Sequence, residues 1–436
     1  MTKRRRKRIV ERIKSVLILL LSCSAVYLVV LTQSIAVPSG LLSRPSGGGG
    51  ILSVADPAET ARPLRMAAVI PTGGSEIQRF GVQYSDVNTA DLFQQGYTIL
   101  VEALSSANQP EKVTEAEWRK ALTAAPGLYF DWQGEVPLAV LDGWLSVDNP
   151  LLTGSVRRMV LAARDGRVFL CYFDEKAEGY YACGSDVVSA SRLEEVVETL
   201  RDNGARFAFE MEEYSGLEPY TLVMGQPLSP SIYASVDPMG GGQGLSNLQE
   251  VLGFPESSAS FSGAGEQVIR SRNDTLRIGA DGTVPYEPAA EGSDRYRLSG
   301  GGIYEAVEGC RDLAQQAVGA VGGEERLFLM SVQETAEGCW EIQFGYSLDG
   351  VQVRLGEDGW AARFTVEQGQ IAGFQLRMRC YTDTGTTTVV LPERQAMAAM
   401  EVKGHENEEL LLVYLDTGSE MVTASWAAAS ELSGRG

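Results

Sequence analysis

The sequence predicts an α+β protein, with a single N-terminal transmembrane helix followed by a multi-domain body of mixed, largely antiparallel β-sheets with packed helices. Three observations support this fold class. Residues 16–32 form an apolar run without a charged residue. Short apolar segments separated by Asp-Gly or Gln-Gly pairs recur through the rest of the chain, which is typical of antiparallel hairpins. Stretches with helical spacing of apolar residues lie between them.

The N-terminus combines a basic tail with a segment long enough to cross a membrane. The tail contains one acid and eight basic side chains: Lys3, Arg4, Arg5, Arg6, Lys7, Arg8, Arg12 and Lys14. As a helix, residues 16–32 would span about 25 Å, and uncharged neighbours extend it toward the roughly 30 Å hydrocarbon layer. Because basic residues stay on the cytoplasmic side, we predict a cytoplasmic tail at 1–14, an anchor at 15–33 and an extracytoplasmic body. The first six basic residues are expected to contact anionic lipid headgroups.

Two alternatives involve processing of the same segment. Ser34-Ile35-Ala36 is similar to a small-x-small signal-peptidase site, so cleavage and release is one alternative. Leu20-Leu21-Ser22-Cys23 is similar to a lipoprotein cleavage box. However, apolar residues continue after Cys23, whereas a lipidated protein would leave the apolar region there. A retained anchor is therefore the preferred interpretation.

The remainder of the chain is acidic. The whole chain has 37 basic and 57 acidic residues, so the part after residue 14 holds 29 basic and 56 acidic residues and carries a net charge of −27. Such a polyanion repels nucleic acid, and we expect no nucleic-acid partner. Residues 34–63 are rich in Ser, Gly and Pro and are predicted to be a flexible linker between membrane and body.

The first body region, residues 64–224, is predicted to be an α+β domain. Helices are predicted at 87–107, from 114, and at 191–203. The second and third begin with capping-box patterns, Thr114 with Glu117 and Ser191 with Glu194. Strands are predicted at 66–70, 128–132, 136–141, 156–163, 168–173, 179–183 and 206–211. The pair Asp165-Gly166 supplies the tight turn of one hairpin.

Prolines and a glycine cluster at 213–243 predict a domain boundary. A small middle domain follows at 244–298, and a C-terminal α+β domain at 302–429. The middle domain is predicted to have a helix at 245–252 and strands at 266–270, 275–278 and 284–286. The C-terminal domain is predicted to have helices at 304–321 and 392–400, and strands at 326–333, 340–346, 351–355, 361–367, 371–381, 409–414 and 421–426.

The sequence contains no recognisable catalytic or metal-binding motif. Its one histidine, His405, lies in a polar turn and is predicted to be exposed, and one histidine excludes a multi-histidine metal centre. The chain has no G-x-S-x-G elbow and no G-x-x-x-x-G-K-[ST] loop. We therefore expect no catalytic, cofactor-binding or metal-ligating residue. A pair of carboxylates acting as in glycosidases is an open alternative.

Cysteine and aromatic residues leave further alternatives open. Five cysteines follow the anchor. Cys171 and Cys183 flank a predicted hairpin and suit a bond across it, although buried free thiols are the preferred interpretation. Trp340, Phe344 and Tyr346 alternate along one predicted strand and therefore share one sheet face. That face is predicted to pack in the core, with a partner-binding surface as the alternative.

Strand patterns in the second half of the chain are similar to those of a known family. The middle of the chain contributes Leu276-Arg277-Ile278 and Asp281-Gly282-Thr283-Val284. The strongest similarity is Phe344-Gly345-Tyr346-Ser347-Leu348-Asp349-Gly350-Val351, followed by Phe364-Thr365-Val366. With the single anchor, these segments resemble the YycH/YycI-type proteins, accessory regulators of the WalK/YycG-type sensor histidine kinase of Gram-positive bacteria. Length and a three-part body favour a YycH-like over the shorter YycI-like protein.

The resemblance implies a non-enzymatic membrane regulator of a two-component system that serves cell-wall homeostasis. It implies two partners, a sensor histidine kinase and a second YycH/YycI-type accessory protein, contacted through transmembrane helices and extracytoplasmic domains. It implies no cofactor. Within the anchor, Ser22, Cys23, Ser24 and Ala25 form a small-residue patch that suits close helix packing and is a predicted partner contact. The alternative function is a secreted or anchored envelope enzyme, or a ligand-binding module, acting on cell-wall material.

Overall fold

The computed structural model describes residues 57–432 apart from 73, 75, 239–241, 256, 264, 272, 273, 289–292 and 324. The predicted tail, anchor and most of the linker lie outside these residues, but the end of the linker is not the flexible segment that the sequence predicts, because it forms a helix at Pro57–Ala61. Within the described part of the chain, no helix combines the length and the apolar character that crossing a membrane requires. The described residues belong to one compact unit. The bounds of the three body domains stay a prediction.

The described chain contains single helices between single strands or runs of consecutive strands. The helices are α1 (Pro57–Ala61), α2 (Asp86–Ser105), α3 (Glu115–Thr123), α4 (Leu138–Leu145), α5 (Ala190–Val197), α6 (Gly242–Val251), α7 (Ile303–Ala320), α8 (Glu393–Lys403) and α9 (Ala429–Leu432). The first ten strands are β1 (Arg65–Ile70), β2 (Gln78–Val82), β3 (Glu111–Val113), β4 (Gly127–Pro137), β5 (Ser155–Arg164), β6 (Arg167–Asp174), β7 (Gly179–Ser189), β8 (Arg206–Phe207), β9 (Leu222–Val223) and β10 (Ser231–Val236). The others are β11 (Ala259–Gly263), β12 (Glu266–Ser271), β13 (Asp274–Gly279), β14 (Thr283–Glu287), β15 (Arg326–Ala336), β16 (Cys339–Leu348), β17 (Val351–Leu355), β18 (Ala362–Glu367), β19 (Gln370–Arg377), β20 (Cys380–Thr387), β21 (Leu410–Asp416), β22 (Met421–Val422) and β23 (Ala424–Ala428).

The first sheet contains seven strands in the order β2-β1-β4-β5-β6-β7-β3. Asp165 and Gly166 both have positive φ, 51° and 77°, as the predicted β5–β6 hairpin turn requires. Both faces of the sheet are buried, because Phe93 of α2 packs on one face while Trp118 of α3 and Phe207 pack on the other. This explains why β1 is buried at all six positions.

The second sheet contains eleven strands. Ten follow the order β11-β12-β13-β14-β19-β18-β16-β17-β21-β23, and β15 pairs with β16. Among the strands that the structure describes, the only parallel pair is β17 with β21. The segments 244–298 and 302–429 both contribute strands to this sheet, because β14 pairs with β19. Helix α7 packs on the sheet through the buried Val307 and Cys310.

The alternating aromatic residues of β16 face the core. Trp340, Phe344 and Tyr346 are at most 6% exposed, and Phe344 packs edge-to-face against Phe364 of β18 with ring centroids 6.1 Å apart. The prediction of core packing is confirmed, and a partner-binding role for these three rings is wrong because they are not at the surface.

The predicted single strand at 371–381 is two strands in the structure. After β19 the chain leaves the second sheet at Met378 and Arg379, and β20 pairs instead with β10 in a small sheet of order β20-β10-β22. Arg379 fixes this turn, because its Nε lies 2.9 Å from Asp416 Oδ2 at the end of β21. The Ser235 hydroxyl of β10 donates to the same oxygen over 3.0 Å.

Three local predictions in the first region differ from the structure. The strand predicted at 136–141 ends at Pro137, which is the N-cap of α4, and the helix then begins at Leu138. Helix α5 has Ser189 rather than Ser191 as its N-cap and ends at Val197. The strand predicted at 206–211 stops at Phe207 and continues as two 3₁₀ turns.

Other elements follow the sequence closely. Thr114 and Glu117 form the predicted capping box, with the Thr114 N–H donating to Glu117 Oε2 over 2.9 Å. The body is therefore an α+β structure of largely antiparallel sheets with packed helices, as predicted.

Candidate functional site

The residues predicted to contact the membrane or a partner helix lie outside the part of the chain that the structure describes. They are the basic residues Lys3, Arg4, Arg5, Arg6, Lys7 and Arg8 and the small residues Ser22, Cys23, Ser24 and Ala25. Both sets stay predictions. The candidate site of the body is instead a set of charged side chains that the sequence did not single out.

Three charged residues form a row across neighbouring strands of the first sheet. The strand register places Asp131 of β4 opposite Arg65 of β1 on one side and opposite Arg158 of β5 on the other. Directly paired residues of antiparallel strands point to the same face. The Asp131 carboxylate therefore lies between two guanidinium groups, 3.7 Å from Arg65 Nη1 and 3.8 Å from Arg158 Nε.

A strand irregularity adds a second arginine from β5. The pairing of β5 shifts between Val156 and Met159, so the normal alternation of faces is interrupted there. Arg157 consequently also reaches the row, and its Nε lies 3.3 Å from Asp131 Oδ1. Two consecutive arginines thus contact one buried carboxylate.

Glu409 brings the last part of the chain to this row. It immediately precedes β21 of the second sheet, and its side chain is 3% exposed. Glu409 Oε1 accepts from Arg65 over 2.6 Å, and Oε2 lies 2.5 Å from Arg157 Nη2 and 3.1 Å from Arg158 Nη2. Arg158 also pairs with Glu218 over 2.9 Å. We call these six side chains the arginine–carboxylate cluster: Arg65, Asp131, Arg157, Arg158, Glu218 and Glu409.

The cluster is electrically balanced, with three cations and three anions. Burial alone would raise the pKa of Glu409, but Arg157, Arg158 and Arg65 outweigh it, so the pKa lies below the usual glutamate range. Burial would lower the pKa of Arg158, but Glu218 and Glu409 raise it well above its usual range. All of these directions favour the charged forms. The charged side chains of the cluster therefore compensate one another in a buried environment, and loss of one of them would leave the others without a partner.

The sequence held only an indirect signal for this cluster. Asp131 interrupts the apolar run 128–132, and Arg157 and Arg158 stand at the start of an apolar strand. A charged residue within a buried strand requires a buried partner of opposite charge. The identity of that partner, Glu409, depends on the tertiary fold and could not be found from spacing.

A cavity of about 540 Å³ lies beside the cluster. Its lining includes Arg157, Arg158, Glu218, Glu409 and the aromatic rings of Trp118, Phe173, Tyr180 and Tyr220. Tyr220 donates to Glu115 over 2.7 Å, and burial, with hydrogen bonds to Tyr180 and Glu115, raises its pKa, so the phenol stays protonated. In the described part of the chain no group of His, Cys, Asp or Glu is placed to hold a metal ion.

His405 is partly buried, so the prediction of an exposed loop histidine is wrong. Its side chain is 23% exposed, with Nδ1 3.1 Å from Glu408 Oε1 and Nε2 3.5 Å from Glu431 Oε1. Glu431 belongs to α9, which folds back over the turn that carries the histidine. The contact between His405 and Glu431 could not be predicted from the sequence, because it depends on how α9 packs in the folded chain.

Cys171 and Cys183 lie on opposite faces of the first sheet. Cys171 is paired with Ala182 and packs in one core cluster, whereas Cys183 is paired with Leu170 and packs in the other. The alternative of a bond between them across the hairpin is therefore wrong. The five described cysteines are free, as the preferred interpretation predicts, and three of them are buried.

Comparison with known proteins gives one structural match. No protein-family model matches the sequence, and no curated protein matches it. The structure is similar to the crystal structure of YycH from Bacillus subtilis, with a TM-score of 0.54 and 9% sequence identity. The similarity covers 85% of this chain and 94% of that chain, so it concerns the architecture of the whole body. This chain therefore has a YycH-like fold, as its strand patterns predicted.

Proposed function

We propose that this protein is a non-enzymatic, membrane-anchored regulator of a sensor histidine kinase of a two-component system. The observation that carries the proposal is the YycH-like fold of the body. The YycH/YycI-type proteins that the sequence resembles are accessory regulators of such a kinase. The basic tail and the apolar segment at 16–32 supply the features that a protein needs to share a membrane with its kinase.

The proposed arrangement is a single-pass protein with a cytoplasmic N-terminus and an extracytoplasmic body. Its partners are the kinase and a second YycH/YycI-type accessory protein. The anchor contacts the kinase's transmembrane helices, and the body contacts its extracytoplasmic domain. Because the body is strongly acidic, nucleic acid is not a proposed partner.

Regulation of this kind needs only a modest coupling energy. A kinase balanced between two states shifts its activity several-fold for a coupling of about 1–3 kcal/mol. Close packing of small residues between transmembrane helices supplies energies of about that order. The arginine–carboxylate cluster supports transmission through the body, because it joins β1, β4 and β5 to the start of β21 by buried ion pairs.

The experiment that tests the proposal is a crosslinked pull-down of the tagged full-length protein from its native membrane, with partners identified by mass spectrometry. We expect recovery of a sensor histidine kinase. A matched protein, in which residues 16–32 are replaced by an unrelated apolar helix, should fold and insert but recover less kinase. Recovery of wall-synthesis enzymes without any kinase would overturn the proposal and leave the similarity to YycH as one of fold.

A further inference from the structure

A second cavity lies where α1 meets the two sheets. Its volume is about 290 Å³, close to the lower end of small-molecule sites. Most of the buried part of its lining is apolar and includes Trp132, Val136, Trp144, Leu329 and Phe344, while Glu325 is a buried acid in the same lining. The apolar part of the lining accepts an aromatic ring or a short aliphatic chain but offers little to a polar ligand.

The polar part of the lining contains three arginines: Arg62, Arg311 and Arg326. Arg311 is neutralised, because it contacts Glu308 over 2.7 Å and Asp312 over 2.6 Å. Arg62 and Arg326 are different. Both reach the same oxygen, Asp86 Oδ1, at 3.5 Å and 3.2 Å respectively. Two guanidinium groups therefore share one carboxylate oxygen.

Arg62 is the less satisfied of this pair. Its one side-chain hydrogen bond among the described residues is the 3.5 Å contact to Asp86, and its Nε is buried without a partner. Arg62 and Arg326 are 15% and 14% exposed, so water compensates them only in part. Burial, together with the nearby Arg62 charge, lowers the pKa of Arg326 to about 10. Arg62 therefore keeps hydrogen-bond donors that no described residue uses, next to a second guanidinium group.

Among the described residues, the two acids in the lining form no ion pair with Arg62 or Arg326, whose shared partner is Asp86. Glu59 is exposed, and the Oε1 of the buried Glu325 accepts from the Tyr381 N–H over 2.5 Å. In a body that otherwise carries a large negative charge, this is a local site for an anion. Guanidinium groups bind carboxylates and phosphates through paired, charge-assisted hydrogen bonds.

We infer that this cavity binds a small amphiphilic anion. The aromatic or aliphatic part of the ligand lies against Trp132, Trp144 and Phe344, and its carboxylate or phosphate head lies at Arg62 and Arg326. A soluble metabolite and a lipid both offer this chemistry. The inference goes beyond the proposed regulation of a kinase and does not depend on it.

Binding there would act on the first described segment of the chain. Trp132 Nε1 donates to the Ala61 carbonyl over 2.8 Å, and the Arg326 guanidinium donates to the Arg62 carbonyl. Residues that line the cavity therefore also hold α1 and the residue after it. A bound anion would add contacts to the same segment, which the sequence predicts to be the end of the linker.

The test is calorimetry on the full-length protein in phosphatidylcholine nanodiscs, with empty discs subtracted. Three probes share one body and differ in the head group: 4-phenylbutyrate, 4-phenylbutanol and 4-phenylbutylamine. We expect the carboxylate to bind about tenfold more tightly than the alcohol, and the amine most weakly. Equal binding of the three probes, or no binding of the carboxylate, would overturn the inference.

Substitutions locate the site. Arg62→Gln should bring the affinity for 4-phenylbutyrate down to that for the alcohol, while Arg297→Gln, at a 71% exposed arginine outside the cavity, should leave it unchanged. Circular dichroism checks that both variants fold. If Arg62→Gln does not fold, the probe series on the unaltered protein still tests whether the cavity binds an amphiphilic anion. An unchanged affinity in folded Arg62→Gln contradicts the inference.

Phosphatidylglycerol in the discs identifies the source of the ligand. Competition of this lipid with 4-phenylbutyrate indicates that the ligand is a lipid, and no competition indicates a soluble anion.

Discussion

Glu409 Oε1 accepts a 2.6 Å hydrogen bond from Arg65 Nη1, although 344 positions separate the two residues in the chain. Arg65 begins β1 in the first sheet, and Glu409 immediately precedes β21 in the second. Both side chains are at most 3% exposed. Removing the Glu409 carboxylate would leave the charges of three arginines buried with less compensation, so loss of this one partner should destabilise the body strongly.

We expect Glu409→Gln to destabilise the body by about 3–5 kcal/mol, because it leaves buried guanidinium groups without their anion. The measurement is urea unfolding of the fragment that begins at Ser53. Glu406→Gln is the matched control, since this exposed glutamate lies three positions away. It should change the free energy of unfolding by less than about 0.5 kcal/mol. A loss as small as that in Glu409→Gln would show that the cluster does not stabilise the fold.

The same substitution should have a defined pH dependence. The folded-state pKa of Glu409 is lowered, so its contribution is present above the unfolded-state pKa of about 4.3 and is lost as the pH falls toward the folded-state value. The difference between Glu409→Gln and the unaltered fragment should therefore shrink below about pH 4. Unfolding curves at neutral and acidic pH measure it, and a difference that grows on acidification would contradict the assignment.

The ion pairs of the arginine–carboxylate cluster could not be predicted from the sequence. Asp131, Arg157 and Arg158 stand out as charges in apolar strands, but their pairing depends on the register of three strands and on a shift within β5. Hairpin turns were easier to predict, because Asp165-Gly166 and Asp349-Gly350 determine their own backbone angles. The apolar run at 136–141 was ambiguous, because a short buried strand and a buried helix have the same composition.

Gly134 marks a close approach between the two sheets. A Cβ at this position would overlap the backbone carbonyl of Leu329 in β15, and a main chain cannot rotate away as a side chain can. We expect Gly134→Ala to cost about 2–4 kcal/mol of unfolding free energy. Urea unfolding measures it, with Gly301→Ala as the control, since a Cβ there meets nothing within 4 Å. Equal stabilities would show that β4 and β15 separate easily.

The carboxyl group of Asp142 in α4 is buried, and burial disfavours its charged form. Burial, with a smaller contribution from Asp148, raises its pKa to about 7, and its Oδ1 has no hydrogen-bond partner among the described residues. The folded state therefore binds a proton that the unfolded state has released, so stability falls as the pH rises from about 4 to 7. We expect Asp142→Asn to stabilise the body by about 1–2 kcal/mol at pH 8.

The pH dependence separates this effect from a general change in packing. The gain in Asp142→Asn should shrink at pH 5, where the carboxyl is already neutral in the folded state. Asp148→Asn removes only the neighbouring charge and should give a smaller gain at pH 8. Thermal unfolding at the two pH values measures both variants. A gain that is independent of pH would mean that Asp142 does not titrate in this range.

The last prediction concerns the small-residue patch of the anchor. Replacing Ser22, Ser24 and Ala25 by Leu keeps the segment apolar enough to insert but prevents close approach of a second helix. We expect crosslinking to the kinase to fall roughly fivefold or more, which corresponds to a loss of about 1–2 kcal/mol of helix contact. The measurement is the yield of crosslinked kinase, with alkaline extraction of membranes to verify insertion.

A matched variant separates the patch from the rest of the anchor. Val26, Val29 and Val30 replaced by Leu make the same number of changes in the same segment with little change in size. This control should crosslink as the unaltered protein does. If the patch variant also crosslinks normally while replacement of residues 16–32 abolishes it, other positions of the helix make the contact. If the patch variant and the protein with residues 16–32 replaced both crosslink normally, the anchor does not make the contact. The kinase is then held by contacts of the body.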